Sequence, residues 1–365
     1  MSRVHLGDVA IEHKETCKED KSMYPIVGLE HLTPEQITLQ NWDLNTENTF
    51  TKVFRKGNIL FGRRRAYLKK AAVAPFDGIC SGDITVIEAK EDKIIPELLP
   101  FVIQNDDLFD FAVGKSAGSL SPRVKWTHLQ NYEFELPDKQ KQHELAKVLW
   151  AIEDTRKSYQ QLIKRTDELV KSQFIELFGT ETNHPEDVKY VRLGELASYI
   201  NGYAFKPDDW SLTGLPIVRI QNLTGTNEKF NYYDGEYPSQ VEINNGDVLI
   251  SWSASLGVYL WNGGKAILNQ HIFKVDFNKL PVNKAYFMVA VSQKLAEMVD
   301  KTHGATMKHI VKKDFDNTLV AYPKEEDQHR FAEFVEQSDK SKFGKEMCDK
   351  WILEIQNIYR QGYLI

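Results

Sequence analysis

The sequence predicts an α+β protein with two tandem domains, each followed by a long helix, so that the second half repeats the first. Two observations favour this class. Similar blocks of sequence recur in the same order at spacings of about 186 to 191 residues. Within each half, short apolar stretches broken by Gly, Pro, Asn and Asp precede a long segment of helical periodicity. The predicted limits are 1–140 and 181–325 for the domains, and 141–180 and 326–365 for the helices.

The repeat is visible in four blocks. The first block, Leu6-Gly-Asp-Val-Ala10, returns as Leu193-Gly-Glu-Leu-Ala197. The second, Pro25-Ile-Val, returns as Pro216-Ile-Val. Gly57 corresponds to Gly246. The fourth block places Gly118, Leu129, Asn131, Pro137, Gln142-His143 and Ala146 against Gly304, Phe315, Asn317, Pro323, Gln328-His329 and Ala332. A shared order over the whole chain indicates a duplicated unit of about 185 residues.

Each domain contains strand and helix patterns. The clearest strand candidates are Ile59–Phe61, Ile84–Ile87, Val248–Ile250 and Ile272–Val275. Glu97–Phe111 and Asn283–Val299 are predicted helices, since apolar residues recur on one face.

The long helices carry an apolar seam. Residues 140–178 contain no Pro or Gly, and Gly179 follows where a helix should end. A helix of this length spans about 58 Å, more than one small domain needs. We therefore expect the two helices to pair as an antiparallel coiled coil, although the stripe could dock on its own domain. The pairing positions are Leu145, Val148, Ile152, Tyr159, Leu162, Leu169, Phe331, Trp351 and Ile355.

Composition and charge restrict the function classes. With 42% hydrophobic and 27% charged residues, the 365-residue chain is an ordinary globular protein. Cys17, Cys80 and Cys348 lie far apart, which argues against disulfides and structural zinc and favours a reducing cytoplasm. No apolar run of membrane or signal-peptide type is present in the sequence.

The charge is unevenly distributed. The net charge is -6, but eight basic residues and no acid lie between Lys52 and Lys70. A second basic stretch, Lys301–Lys313, contains four lysines and two histidines. A basic run is commonly only a solvated surface, yet DNA binding depends on such local positive charge and not on the net charge.

Several blocks resemble one family. The order of domain, helix, domain and helix is similar to the specificity subunit of type I restriction–modification systems. The blocks that carry this resemblance are 57–69, 78–84, 118–124, 174–179, 201–206, 217–222, 251–257, 269–274 and 304–310. The carboxyl-terminal helix departs from the pattern, because Gly344 interrupts it and only Tyr359 and Tyr363 stand near the expected aromatic positions.

The resemblance implies a mechanism. Each α+β unit would be a target-recognition domain that reads half of a split site on double-stranded DNA, with the helices as a ruler. The implied partners are two copies of an adenine methyltransferase subunit and a motor–nuclease restriction subunit. No cofactor is expected on this chain, because S-adenosylmethionine, ATP and Mg would bind to the partners. Target adenines would be flipped into the methyltransferase pockets.

Basic loops provide the main DNA-binding candidates. Arg63, Arg64 and Arg65 follow a predicted strand and a glycine, so at least one should reach a base and the others phosphate. The corresponding loop of the second domain is Trp252-Ser253-Ala254, so the half-sites should differ. The other expected DNA contacts are Tyr67, Lys69, Ser81, Lys115, Arg123, Tyr203, Lys206, Arg219, Trp252, Ser253, Asn269, Gln270, His271 and Lys308.

These residues also have structural interpretations. Asn269-Gln270-His271 could satisfy turn hydrogen bonds only, and Trp252 could be a core residue. Asp83 is expected to be a structural cap more than a reader of cytosine. The remaining alternatives are packing for Tyr203 and Phe205, and capping or packing for His143 and His329 instead of metal binding.

Motifs for chemistry are missing from the sequence. It contains no methyltransferase Asn/Asp-Pro-Pro-aromatic tetrapeptide, and Gly114-Lys115-Ser116 lacks the upstream glycine of a phosphate-binding loop. We therefore expect no catalytic residue and no metal site. Alternative functions are the specificity subunit of a related methyltransferase–nuclease, a coiled-coil protein-interaction scaffold, and an enzyme with an unrecognised site.

Overall fold

A computed structural model describes residues 2–18, 21–118, 120–227, 229–301 and 310–338. The chain divides into two compact units, whose described residues lie within 2–160 and 161–338 and which are called unit 1 and unit 2 below. The division falls inside the first long helix, which therefore contributes residues to both units. The domain limits at 140 and 325 stay predictions.

Unit 1 consists of short strands followed by helices. Its strands are β1 Ser2–His5, β2 Ala10–Glu12, β3 Ile26–Val27, β4 Lys52–Phe54, β5 Ile59–Gly62, β6 Ala71–Val73, β7 Gly78–Cys80, β8 Ile84–Ala89 and β9 Glu133–Leu136. Its helices are α1 Leu6–Val9, α2 Leu99–Ile103, α3 Asp106–Gly114, α4 Trp126–Leu129 and the first part of α5 Lys139–Phe178, with short 3-10 turns at Lys21–Met23 and Ala66–Leu68.

The unit 1 strands form three small sheets. One has the order β2-β8-β5-β6 and is antiparallel throughout. The second has the order β3-β7-β4, in which β3 and β7 are parallel. In the third, β1 pairs with β9. The helices cover the first sheet, where the rings of Phe61 and Phe109 stack with centroids 5.5 Å apart.

Unit 2 repeats this order of elements. Its strands are β10 Lys189–Arg192, β11 Ser198–Asn201, β12 Leu215–Val218, β13 Asn231–Tyr233, β14 Glu242–Ile243, β15 Val248–Ser251, β16 Gly257–Leu260, β17 Ala266–Leu268, β18 Ile272–Asp276 and β19 Leu319–Tyr322. Its helices are α6 Leu193–Leu196, α7 Ile220–Leu223, α8 Lys284–Lys301, α9 Lys312–Asp316, the last part of α5 and α10 at 325–338, with 3-10 turns at Pro207–Asp209 and Ser239–Val241.

The sheets of unit 2 repeat the strand pairings of unit 1 and add one strand. Their orders are β11-β18-β15-β16, β13-β12-β17-β14 and β10-β19, and β12 again runs parallel to β17. Strand β13 has no counterpart among the described strands of unit 1. The predicted α+β class and internal repeat are therefore confirmed at the level of strand pairing.

A buried glutamine explains the repeated Gln-His pair. In unit 1, Gln142 accepts a hydrogen bond from the Ile95 amide (2.9 Å) and donates to the Pro137 carbonyl (2.8 Å). In unit 2, Gln328 does the same with Asn283 (3.0 Å) and Pro323 (3.0 Å). Each glutamine therefore satisfies two backbone groups where strand gives way to helix. The neighbouring residues, His143 and His329, are exposed.

The prediction of one continuous helix over Glu97–Phe111 is wrong. The structure has α2 and α3 instead, separated at Gln104 and Asn105. The Gln104 side chain donates to the carbonyls of Gln36 and Ala71, and Asn105 starts α3 by accepting from the Asp107 amide (3.0 Å). The predicted helix at Asn283–Val299 corresponds to α8, with Asn283 as its N-cap.

Helix α5 runs without interruption from Lys139 to Phe178 and ends at Gly179, which has φ +71°. Leu145 and Leu149 are buried in the core of unit 1. The structure thus places Leu145 against its own domain, the alternative to helix pairing. Val148, Ile152 and Tyr159 are half-buried, whereas Leu162 and Leu169 are about half exposed, 48% and 52%.

The end of α5 packs in unit 2. Phe174 and Phe178 both lie with their ring centroids 5.5 Å from that of Phe331, so the first turns of α10 contact the last turns of α5. Trp351 and Ile355 fall outside the described residues. Pairing of the two long helices along their length therefore stays a prediction. Among the described helices, none is both long and apolar enough to cross a bilayer.

Candidate nucleic-acid interface

Three loops of unit 1 converge at the basic stretch. They are 63–65 after β5, 81–83 after β7, and 121–124 before α4, and together they are called the unit 1 loop cluster. The Arg63 amide donates to the Asp83 carbonyl (3.0 Å), and the Arg63 carbonyl accepts from the Val124 amide (3.0 Å). The Arg65 amide donates to the Pro122 carbonyl (2.9 Å). Backbone hydrogen bonds therefore fix the positions of the arginines relative to one another.

Asp83 lies at the centre of the unit 1 loop cluster. The Arg123 guanidinium donates to both carboxylate oxygens, through Nε at 2.7 Å and Nη2 at 3.2 Å. Nη1 of Arg64 lies 3.5 Å from Oδ2. The hydrogen bond from Arg123 holds the pKa of Asp83 below its ordinary range, so the carboxylate stays charged at neutral pH.

Asp83, expected as a structural cap and not as a reader of cytosine, has structural contacts, but they are ion pairs and not a cap. Its carboxylate pairs with the two arginines, while the turn itself is closed by the Ser81 hydroxyl, which accepts from the Asp83 amide (3.2 Å). Ser81, expected at the DNA, therefore has a structural hydrogen bond.

The other unit 1 candidates lie beside this cluster in sequence and differ in their charge partners. Arg65 is exposed and has a left-handed backbone (φ +54°). Tyr67 is 56% exposed. Lys69 donates to Asp106 (2.6 Å), a hydrogen bond that raises the lysine pKa and pairs the ammonium with a carboxylate. Exposed Lys115 lies over the Phe111 ring, 5.7 Å from its centroid.

Unit 2 forms the same loop arrangement with other side chains. The Trp252 amide donates to the His271 carbonyl (3.3 Å), and the Trp252 carbonyl accepts from the Ile310 amide (3.0 Å). These bonds match those of Arg63 with Asp83 and Val124. Ala254 has the same left-handed backbone as Arg65, with φ +58°.

The match extends to the neighbouring loop. The Asn269 amide donates to the Val218 carbonyl (3.1 Å), as the Ser81 amide does to the Val27 carbonyl (2.9 Å). Equivalent positions thus carry Arg63 and Trp252, Asp83 and His271, and Ser81 and Asn269. The predicted difference between the loops is therefore a replacement of side chains on one backbone arrangement.

Aromatic contacts dominate the unit 2 loops. The Trp252 ring stacks on Phe273 at 5.6 Å between centroids and lies edge-on to His271 at 5.4 Å. Trp252 is half-buried: its ring packs on Phe273, as expected of a core residue, and part of the side chain remains exposed. Exposed Gln270 places Nε2 at 3.3 Å from Nε2 of His271. Ser253 is half-buried.

The remaining unit 2 candidates are distributed around β12 and β17. Tyr203 is bridged to Asn269 and packs against Phe205, with centroids 4.9 Å apart. Arg219 lies over the Trp210 ring at 5.5 Å. Lys206 is exposed. Lys308 lies outside the described residues.

Sequence reasoning missed the role of Ser121. Its hydroxyl accepts from Nε of Arg64 at 2.5 Å, within the unit 1 loop cluster. The serine stands inside the block 118–124 that carried the family resemblance, which was the available signal.

Comparison with known proteins assigns the family. The model of the type I restriction modification DNA specificity domain matches residues 3–165 and, a second time, residues 185–346. The chain belongs to this family. The specificity subunit of the EcoBI type I restriction enzyme from Escherichia coli is 26% identical over 145 residues, which are 39% of this chain and 30% of that protein. The chain thus spans under a third of that relative.

Two further proteins match over most of the chain. The putative MjaX specificity subunit of Methanocaldococcus jannaschii is 20% identical over 385 aligned residues, covering 94% of this chain and 88% of the relative. The crystal structure of a type I restriction–modification system S subunit from M. genitalium covers 98% of this chain and 95% of its own at a TM-score of 0.55, with 12% identity. This chain and the M. genitalium subunit therefore share a fold.

Proposed function

We propose that this chain is the specificity subunit of a type I restriction–modification complex and binds a bipartite sequence on double-stranded DNA. One observation carries the proposal. Units 1 and 2 hold equivalent loops with the same backbone hydrogen bonds but different side chains, Arg63 and Asp83 against Trp252 and His271. A repeated framework with exchanged side chains is what reading two different half-sites requires.

Electrostatics supports DNA as the ligand. The unit 1 loop cluster contains four arginines, Arg63, Arg64, Arg65 and Arg123, and one carboxylate, that of Asp83, which pairs with Arg64 and Arg123. Lysine and arginine supply most of the affinity for the phosphate backbone, whereas base contacts supply specificity. The local excess of positive charge therefore favours a phosphate surface despite the net charge of -6.

The long helix supports the bipartite target. Helix α5 has 40 residues and spans about 60 Å. Half-sites on one face of the duplex lie about 34–36 Å apart, one helical turn. An antiparallel pair of long helices would set the spacer between the half-sites as a ruler.

Chemistry belongs to partner subunits in this proposal. Two copies of an adenine methyltransferase subunit would bind S-adenosylmethionine and receive the flipped adenines, and a motor–nuclease subunit would use ATP and Mg. This chain would contribute recognition and positioning without a cofactor or a catalytic residue of its own.

Salt dependence of DNA binding tests the proposal. The full chain, purified with its methyltransferase partner, is titrated with random-sequence duplex at graded salt. We expect log K to fall linearly with log salt, with a slope of about -0.9 for each phosphate contacted. Arg65→Asn, a substitution that tolerates the left-handed backbone, should make the slope shallower by about one contact.

The matched control is Arg3→Asn, which removes an exposed arginine that pairs with Glu133 on the neighbouring strand. It should leave the slope unchanged. Weak binding that salt does not affect would contradict the proposal and would favour the protein-interaction scaffold.

A further inference from the structure

The arginines of the unit 1 loop cluster differ in which guanidinium nitrogens are already hydrogen-bonded within the protein. We propose that Arg64 recognises a guanine in the half-site bound by unit 1, and that Asp83 and Ser121 are the residues that position it. This inference rests on the proposed function, since it assigns a base to one of the two half-sites.

Arg123 is engaged within the protein. Its Nε and Nη2 both donate to Asp83, at 2.7 and 3.2 Å, and its Nη1 lies 3.4 Å from the Ser121 carbonyl. A guanine presents two acceptors, O6 and N7, that an arginine meets with two parallel donors. Because one edge of Arg123 is bonded to Asp83 and its remaining nitrogen lies near a carbonyl, Arg123 holds Asp83 in position and is not the residue that contacts a base.

Arg64 is held differently. Its Nε donates to the Ser121 hydroxyl at 2.5 Å, while Nη1 lies 3.5 Å from Asp83, at the outer limit of a hydrogen bond. The terminal nitrogens of Arg64 are therefore less engaged than those of Arg123, whose Nη2 donates to Asp83 at 3.2 Å, while the two side chains are similarly exposed, 39% and 41%. Anchoring at Nε and attraction to Asp83 limit the rotamers that Arg64 would lose on binding.

The neighbouring arginines lack this arrangement. Arg63 is half-buried, and its Nε atom is buried without a hydrogen-bond partner in the described structure, so this edge of its guanidinium is closed to a base. Arg65 is exposed, and its positive charge suits a phosphate. Base recognition at this edge therefore falls to Arg64.

At the described positions of unit 2 that correspond to Arg64 and Asp83, the side chains are different. The positions that correspond to Arg64 and Asp83 are Ser253 and His271, which cannot form an arginine–carboxylate pair. Loss of Asp83 should consequently alter the half-site bound by unit 1 and leave the other half-site unchanged, which gives every experiment an internal reference.

Selection from a random duplex library tests the inference. The full chain with its methyltransferase partner is incubated with the library, and bound DNA is sequenced. Arg64→Gln should lose the preference at one G·C pair of one half-site. The expected loss is about 5- to 150-fold, equivalent to about 1–3 kcal/mol at 1.4 kcal/mol per factor of ten.

Asp83→Asn separates positioning from folding. It should lose the preference at the same G·C pair, while affinity for random DNA stays equal or rises because a negative charge is removed. Arg123→Lys keeps the charge but cannot form the two-point bond, so it should weaken the same preference. Asp77→Asn is the matched control, because Asp77 pairs with Arg55 (2.9 Å) and should leave both half-sites unchanged.

The outcomes are distinct. If Asp83→Asn selects the wild-type motif, or if both half-sites weaken together, the positioning role is wrong. If Arg64→Gln relaxes an A·T pair or no position, the guanine assignment is wrong. If the wild-type complex enriches no bipartite motif at all, the proposed function itself fails.

Discussion

Replacing Gln142 by methionine should destabilise unit 1 without changing the volume of its core appreciably. The glutamine is 2% exposed and joins the Ile95 amide to the Pro137 carbonyl. Methionine has a similar length but offers no equivalent donor and acceptor. Two buried backbone groups would therefore lose their partners, and each unsatisfied group costs about 1–3 kcal/mol. The expected loss in the free energy of unfolding is about 2–6 kcal/mol.

Urea unfolding of the full chain measures the loss, and hydrogen exchange followed by mass spectrometry locates it. We expect faster exchange in the peptide that contains Ile95, whereas Gln328→Met should accelerate exchange around Asn283 instead. Gln140→Met, an exposed position on the same helix, is the control and should change neither result. Equal stability of Gln142→Met and Gln140→Met would refute the reasoning.

Three other perturbations have defined outcomes. Gly179→Ala should cost about 1–3 kcal/mol in thermal unfolding, because φ is +71° and the new Cβ would meet the backbone of the following turn. Gly114→Ala, in helix α3 with open space around the new Cβ, should be neutral or slightly stabilising, and equal values for the two variants would contradict this. Phe331→Ala should cost about 3–5 kcal/mol in urea, and a loss under 1 kcal/mol would contradict its packing between α5 and α8. Arg123 lowers the pKa of Asp83 in the folded protein. The ion pair between them is therefore fully formed above the ordinary aspartate pKa and is lost only as pH falls through the lowered pKa of Asp83. DNA selection should therefore give the same unit 1 half-site between roughly pH 8 and 5, and a change within this range would contradict that assignment.

The sequence predicts the repeat well because its signals are local. Gln142 and Gln328 each bond the carbonyl five residues before them, at Pro137 and Pro323, so the same short segment reproduces the same geometry. The loops at Arg65 and Ala254 likewise keep one backbone conformation with different side chains. Order of blocks and strand patterns were therefore sufficient for the fold class.

Contacts between distant segments were not predictable in this way. Asp83 and Arg123 are 40 positions apart, and no periodicity indicates that their loops converge. The break at Gln104 depends on the carbonyls of Gln36 and Ala71, which lie far from it in sequence. An apolar pattern alone continues through that break, which is why a single helix was expected.

The face of α5 was ambiguous for a related reason. Leu145 and Leu149 are buried in the core of unit 1, a spacing of four, whereas the heptad seam selected Val148. Both spacings place apolar residues on one side of a helix. The choice between them depends on which surface the helix packs against, and this is tertiary information.

Mapping methylated adenines in a methylation-free host tests the central claim most directly. The chain is co-expressed with the methyltransferase subunit proposed as its partner, and modified bases are located by single-molecule sequencing. The account predicts a split motif, with two unequal half-sites at a fixed spacing and an adenine in each. A continuous motif, two identical half-sites, or no methylation beside an intact and expressed methyltransferase would contradict it.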